Sequence, residues 1–118
     1  MMIQAHLDNP RINAVIQEVL QASKTTLGNK LDKVILFGSY ARGDYDDDSD
    51  IDFLIVAHVS QTEASMERAN IRNKLPFIDL DYDIVVSLNV TGSDVYNNYV
   101  DILPMYKNVA KEGVLLNV

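Results

Sequence analysis

Two periodicities alternate along the chain, and the switches between them mark its elements. Ile12, Val15, Ile16, Val19 and Leu20 recur at i, i+3, i+4, i+7 and i+8, the spacing that lines one face of an α-helix. Asn9-Pro10 supplies its start, a capping side chain followed by the residue best suited to a first helical turn, and Gly28 supplies its stop. Val34-Ile35-Leu36-Phe37 is then a short continuous apolar run ending at Gly38-Ser39, which predicts a buried strand. Ile51 to Ala57 (IDFLIVA) predicts a second buried strand. Gln61 to Lys74 is polar, with Met66, Ala69 and Ile71 loosely periodic, and predicts a helix that Pro76 breaks. Leu80 to Ser87 (LDYDIVVS) predicts a third strand. In the tail Val95, Tyr99, Ile102, Leu103, Tyr106, Val109 and Ala110 fall at helical spacing. Pro104 in their midst marks either a kink or the start of a fresh helix ending at Gly113. The order α, β, β, α, β, α predicts one small α/β or α+β domain over residues 1–118.

Composition narrows what such a domain can do. With 118 residues, 47% of them hydrophobic, the chain can build a core without disulfides, and it has no cysteine. That removes thiolate zinc sites and a cysteine nucleophile as well. No run approaches the ~20 apolar residues of a membrane span, and Met1 to Asn9 lacks the apolar region of a signal peptide. The expectation is a cytoplasmic protein without membrane association. Ten Lys and Arg against seventeen Asp and Glu give a net charge of −7. A duplex-binding domain draws its affinity from neutralising phosphates, so direct nucleic-acid binding is not expected. The acid is uneven: Asp44, Asp46, Asp47, Asp48, Asp50 and Asp52 crowd one short stretch.

Three features coincide in that stretch, Phe37 to Phe53 (FGSYARGDYDDDSDIDF). Gly38-Ser39 ends a strand, where a residue without Cβ lets the backbone approach a bulky anion. A helix starting there would offer free N–H groups and the Ser39 hydroxyl as a phosphate cradle. Arg42, one turn on, is either a bidentate phosphate partner or a plain surface arginine. Asp50 and Asp52 stand two apart at a strand's start, so both carboxylates share a face. Like charges so placed repel unless a cation sits between them, and hard carboxylate oxygens suit Mg²⁺ held jointly with substrate phosphates. Asp83 heads the apolar run Ile84-Val85-Val86, where a lone charge is costly unless it joins a metal cluster. Asp81 has the same parity and is the alternative third carboxylate. A phosphate cradle facing a carboxylate-held metal is what in-line phosphoryl or nucleotidyl transfer needs.

Gly38-Ser39, ten residues, then Asp50-Ile51-Asp52 resembles the GS-x10-DxD signature of the DNA polymerase β-like nucleotidyltransferase superfamily. GSYARG…SDIDFLIV and the C-terminal YKNVAKEGVLL resemble the minimal nucleotidyltransferases that act as antitoxins beside HEPN toxins. The resemblance runs from Val34 to Leu116. It implies a small mixed sheet flanked by helices, with Gly38 and Ser39 holding the β- and γ-phosphates of ATP. It also implies that Asp50 and Asp52 bind two Mg²⁺ ions and that Asp83 completes the metal site and helps activate the attacking hydroxyl. In that branch AMP passes from ATP to a tyrosine of the partner toxin, within a toxin–antitoxin hetero-oligomer. Small-molecule members generally add a second domain for the acceptor, and about thirty residues follow the predicted third strand, so a protein acceptor is expected. The rival functions are an antitoxin that masks its toxin without chemistry, and an enzyme acting on a small-molecule hydroxyl.

Other polar features have plainer readings. Asp44, Asp46 and Asp48 fit EF-hand positions 1, 3 and 5, but Ser49 replaces the required glycine and Ile55 the terminal glutamate. The loop aspartates other than Asp50 and Asp52 read as exposed, solubilising charge. Arg68 and Arg72 read as a solvated helix face. His6 and His58 have no partner at ligand spacing, and Tyr96, Tyr99 and Tyr106 read as core or interface.

Overall fold

Asn9 caps the first helix as its place in the sequence requires. Its side chain accepts from the backbone N–H of Arg11 at 2.9 Å and of Ile12 at 3.4 Å, and Pro10 opens helix α1 (Pro10–Leu27). The helix ends at Gly28, whose φ of 56° is open to glycine. The computed structural model describes residues 9–116; His6 and the stretch before Asn9 lie outside the described residues. After a 3₁₀ turn the chain forms β1 (Leu31–Phe37), the one-turn helix α2 (Ser39–Arg42), β2 (Ile51–Ala57), α3 (Gln61–Asn73) and α4 (Ile78–Tyr82). It continues as β3 (Val86–Gly92), α5 (Ser93–Tyr99), α6 (Pro104–Glu112) and β4 (Val114–Leu116).

The strands make one mixed sheet in the order β3-β2-β1-β4. β1 runs antiparallel to β2 and β4, and β2 runs parallel to β3. Alternation sends Val34, Leu36, Ile51, Phe53, Ile55, Val86 and Leu88 to one face. There they meet the α1 stripe together with Ile71, Leu75 and Ile78. Ile35, Leu54 and Val56 point the other way, onto Tyr96 of α5 and Val109 of α6. Both faces are therefore dry over residues 34–36 and 53–57, which is why those stretches read as unbroken apolar runs. Pro104 starts a fresh helix rather than kinking an old one. Among the described residues no helix is long and apolar enough to cross a membrane.

The third predicted strand is corrected. Leu80 to Ser87 is not one strand: α4 occupies Ile78–Tyr82, Asp83 turns with φ 52°, and β3 begins only at Val86. Leu75, Ile78 and Tyr82 stand at i, i+3 and i+7, and that helical stripe packs into the α1 side of the core while Leu80 is 81% exposed. The competing alternation of Leu80, Tyr82 and Ile84 loses because it would bury Leu80 in place of Ile78. β4 carries no periodic signal over three residues; it exists through its ladder with Val34, Ile35 and Leu36. The α3 helix forms as expected but buries Ala64 and Ile71, leaving Met66 64% exposed.

Arg68 and Arg72 are also corrected, because they do not lie on a purely solvated face. β3 is an edge strand, and its unpaired backbone groups need partners. Arg68 Nε donates to the Leu88 carbonyl at 2.7 Å and Arg72 Nη1 to the Val86 carbonyl at 3.3 Å. Arg72 Nη2 pairs with Asp79 Oδ2 at 2.9 Å, while Asp79 Oδ1 accepts from Val86 N–H at 3.3 Å. Gln61 Oε1 accepts from Gly92 N–H at 2.6 Å. The side chains of α3 thus cover the open edge of the sheet. Replacing both arginines by serine, Arg68→Ser with Arg72→Ser, should lower the urea midpoint and increase concentration-dependent self-association relative to the unmodified chain. Light scattering on an eluting sample measures the second effect, and an unchanged mass together with an unchanged midpoint would contradict the role.

Candidate active site

β1 delivers the chain to Gly38, which turns with φ 75° and ψ −155°, a conformation that excludes residues bearing a Cβ. The N–H groups of Ala41 and Arg42 both reach the Gly38 carbonyl at 3.1 Å, and Gly43 N–H reaches the Ser39 carbonyl at 2.8 Å. These bonds close one helical turn, and the amides at its N-terminus precede the ladder. Tyr40 and Ala41 anchor the turn in the core. The Tyr40 ring stacks on Tyr45 with centroids 4.2 Å apart, so the aspartate loop is tied to the same anchor. Within that loop Asp46 accepts from Asp48 N–H at 2.9 Å and from the Ser49 hydroxyl at 3.2 Å. Ser49 Oγ in turn accepts from Asp46 N–H at 2.9 Å. Asp46 is therefore engaged in holding the loop, and Asp44, Asp47 and Asp48 are exposed, as the sequence suggests.

Register places the second half of the site. Phe37 pairs with Asp52 across β1 and β2, and Asp52 pairs with Ser87 across β2 and β3. One row therefore runs from the glycine turn through Asp52 to Ser87. Gly38 and Asp52 nearly touch: a Cβ built on Gly38 would lie 2.5 Å from Asp52 Oδ2. The glycine that ends β1 is thus the residue that makes room for the carboxylate. Asp52 is half-buried and its carboxyl is pushed above the ordinary value, by burial first and by the charge of Asp50 second. A hydrogen bond from Ser87 and the charge of Arg42 act in the opposite direction. Asp50 is exposed. Hard oxygens on two adjacent carboxylates, one paying a desolvation cost, beside an opening that only glycine allows, fit a divalent cation shared with phosphate oxygens.

The remaining site candidates fall into place differently. Arg42 lies beside Gly38, but its Nε bonds Asp44 Oδ2 at 3.2 Å and its Nη1 bonds Glu112 Oε2 at 3.3 Å. With Phe37, Gly38, Met105, Asn108 and Glu112 it lines a cavity of about 220 Å³. Asp83 caps α4 and does not head a strand. Among the described residues no group of three or more His, Asp or Glu is placed to hold a metal ion, so neither Asp83 nor Asp81 is gathered with Asp50 and Asp52. Asp83 instead borders an open groove of about 330 Å³ between the aspartate loop and α4. His58 is exposed at the far end of β2. Tyr96 is buried and Tyr106 half-buried, its hydroxyl 2.9 Å from Thr91 Oγ1, while Tyr99 is 45% exposed.

Sequence reasoning missed two residues of this site. Ser87 would have been found had β3 been given its true extent, since it falls opposite the first strand-borne carboxylate. Glu112 carries no local signal; only the return of α6 against β1 brings it to Arg42.

The raised carboxyl of Asp52 has a stability consequence. A folded-state value above the unfolded one means that stability is complete below the ordinary 3.8 and is lost as pH rises through the raised value. Asp52→Asn should therefore melt higher than the unmodified chain at neutral pH without metal. The gap should narrow as pH is lowered through that window. Thermal unfolding followed by circular dichroism checks this, and an equal or lower melting temperature at neutral pH would contradict it.

Comparison with known proteins places the chain. The family model for the nucleotidyltransferase domain matches residues 15–114. Two Methanocaldococcus jannaschii proteins are similar, each bearing the name "Putative protein adenylyltransferase". MJ0141 is 38% identical over 92 residues, 78% of this chain and 91% of the relative. MJ0604 is 36% identical over 101 residues, 86% of this chain and 93% of the relative. Among solved structures, a "toxin-antitoxin with AMP-PNP" superposes with a TM-score of 0.56 at 21% identity, covering 84% of this chain and 69% of that one; at that identity the likeness speaks for the fold. Strands β1 to β3, the glycine turn and the paired aspartates all fall within the matched residues, and this chain belongs to the nucleotidyltransferase domain family as a minimal nucleotidyltransferase.

Proposed function

We propose that this enzyme transfers AMP from ATP to a tyrosine hydroxyl of a partner HEPN toxin, with Mg²⁺, and so acts as the antitoxin of the pair. The observation that carries the reading is the contact of the Gly38 turn with Asp52, which sets the glycine turn and the carboxylate pair side by side. Its support from outside the chain is that similar proteins bear the name protein adenylyltransferase and that a similarly folded chain occurs in a toxin–antitoxin structure with AMP-PNP.

In this account Gly38 admits the β- and γ-phosphates to the backbone, and the Ser39 hydroxyl and the first amides of α2 bind their oxygens. Asp50 and Asp52 hold the Mg²⁺, which when bound neutralises charge on the phosphates. Ser87 orients Asp52 through its hydrogen bond. The acceptor oxygen forms a bond to the α-phosphorus while the bond from that phosphorus to the β-phosphate oxygen breaks, pyrophosphate leaves, and the hydroxyl proton passes to a carboxylate or to water. Most of the acceleration is positioning and charge neutralisation. Arg42, paired to Asp44 and Glu112, borders the cradle and is free to exchange one of these exposed partners for a phosphate oxygen. Asp83 stands outside the carboxylate pair, at the turn that ends α4.

The test is labelling with Mg²⁺ and ATP carrying its label on the α-phosphate, with the protein encoded beside this chain or a host lysate as acceptor. A labelled protein band is expected, lost in Asp50→Asn and Asp52→Asn by at least ~100-fold, as for removal of a group that stabilises transition-state charge. Asp83→Asn should keep the thermal shift given by Mg²⁺ and ATP, and loss of that shift would restore Asp83 as a metal ligand. A labelled small molecule without labelled protein would favour a small-molecule acceptor. Binding of the partner with no label anywhere would favour masking.

A further inference from the structure

Resting on the adenylyl-transfer reading above, we infer that the acceptor docks in the groove between the aspartate loop and α4. The segment docked there is basic with an apolar side, set next to the modified hydroxyl.

The side of approach follows from the sheet. Glycine turn, Asp52 and Ser87 form one row across β1, β2 and β3, with strands ~4.8 Å apart. In an in-line displacement the attacking and leaving oxygens lie on opposite sides of the phosphorus. With pyrophosphate over the turn at the end of β1, the acceptor oxygen comes from the β3 side. On that side the chain leaves apolar surface uncovered. Val85, tied to the head of β2 by the bond from Ile51 N–H to its carbonyl at 2.9 Å, is 53% exposed. Leu80 lines the same groove and is 81% exposed. α4 spends Ile78 on the core and turns Leu80 outward.

The charge of the groove names the occupant. Asp47, Asp48, Asp79 and Asp83 line it with Leu80 and Val85, and no Lys, Arg or His does. Asp79 is already paired with Arg72. Asp47, Asp48 and Asp83 form no ion pair among the described residues. Apolar contacts beside uncompensated negative charge complement a segment carrying both Lys or Arg and a bulky apolar residue, and they reject an acidic one.

The test uses synthetic peptides of about twelve residues with one central tyrosine, as substrates for the unmodified enzyme with α-labelled ATP and Mg²⁺. One peptide carries Arg and Leu flanks, one Glu and Leu, one Ser and Gly. The basic apolar peptide should be labelled at least ~10-fold faster than either other, from charge complementarity and rejection. A Leu80→Ser, Asp47→Asn, Asp48→Asn variant, altered only at exposed positions, should lose that preference and keep the thermal shift given by Mg²⁺ and ATP. Equal labelling of the three peptides, or a preference the variant retains, overturns the groove. If the partner protein is labelled but no peptide is, the groove proposal fails alone; if neither is labelled, the transfer reading fails with it.

Discussion

Two carboxylates on one face of a strand start, with a glycine turn pressed against one of them, are the constraint around which the rest of this structure is arranged. Residues two apart on a strand lie roughly 6.5–7 Å apart, where like charges cost up to about 2 kcal/mol before solvent screening reduces it. The fold adds to that cost by half-burying Asp52. A core strand opening with Asp50-Ile51-Asp52 makes no sense as packing, because the same strand is fully buried from Phe53 to Ala57. The proposed function gives it a reason, a cation held by both carboxylates together with the substrate's phosphates.

The asymmetry of the two sheet faces keeps that place open. α1, α3 and α4 cover one face along its length, and their shared core takes in the buried heads of β2 and β3. The other face is covered by the short α5 and α6, whose cluster reaches only Ile35, Leu54 and Val56. Past Leu54 toward the head of β2 that face carries Asp52 and Asp50, and its β3 neighbours are Ser87 and the exposed Val85. The anchoring residues are the apolar ones next door: Tyr40 and Ala41 fix the turn, Ile51 and Phe53 fix the carboxylates, and each is nearly inaccessible. Rigid packing on one side and open surface on the other hold polar groups at fixed spacing without closing the site.

Much of this was legible in the sequence, and the exceptions have physical causes. α1, β1, β2, α3 and the Pro104 restart declare themselves because their apolar patterns are long or end at glycine and proline. The Gly38-Ser39 and Asp50-Ile51-Asp52 pairing was legible because each half flanks a strand whose end was visible. The segment from Leu75 to Ser87 was misjudged because it satisfies two periods at once, and only the presence of α1 beneath Ile78 and Tyr82 decides for the helix. That single error moved Asp83 onto a strand and put Ser87 at a strand's end instead of near its start. Arg68 and Arg72 looked like solvent-facing charge because nothing in a helix says that it lies along a sheet edge. Glu112 could not be linked to Arg42 without knowing that β4 returns the tail beside β1.

The central claim, that the glycine turn and the carboxylate pair form a single cation-dependent nucleotide site, is tested most directly by calorimetric titration of AMP-PNP into the chain with and without Mg²⁺. The account predicts binding that requires Mg²⁺ and is lost alike in Gly38→Ala, which fills the space at Asp52, and in Asp52→Asn. Equal affinity in EDTA, or undiminished binding in both variants, would contradict it.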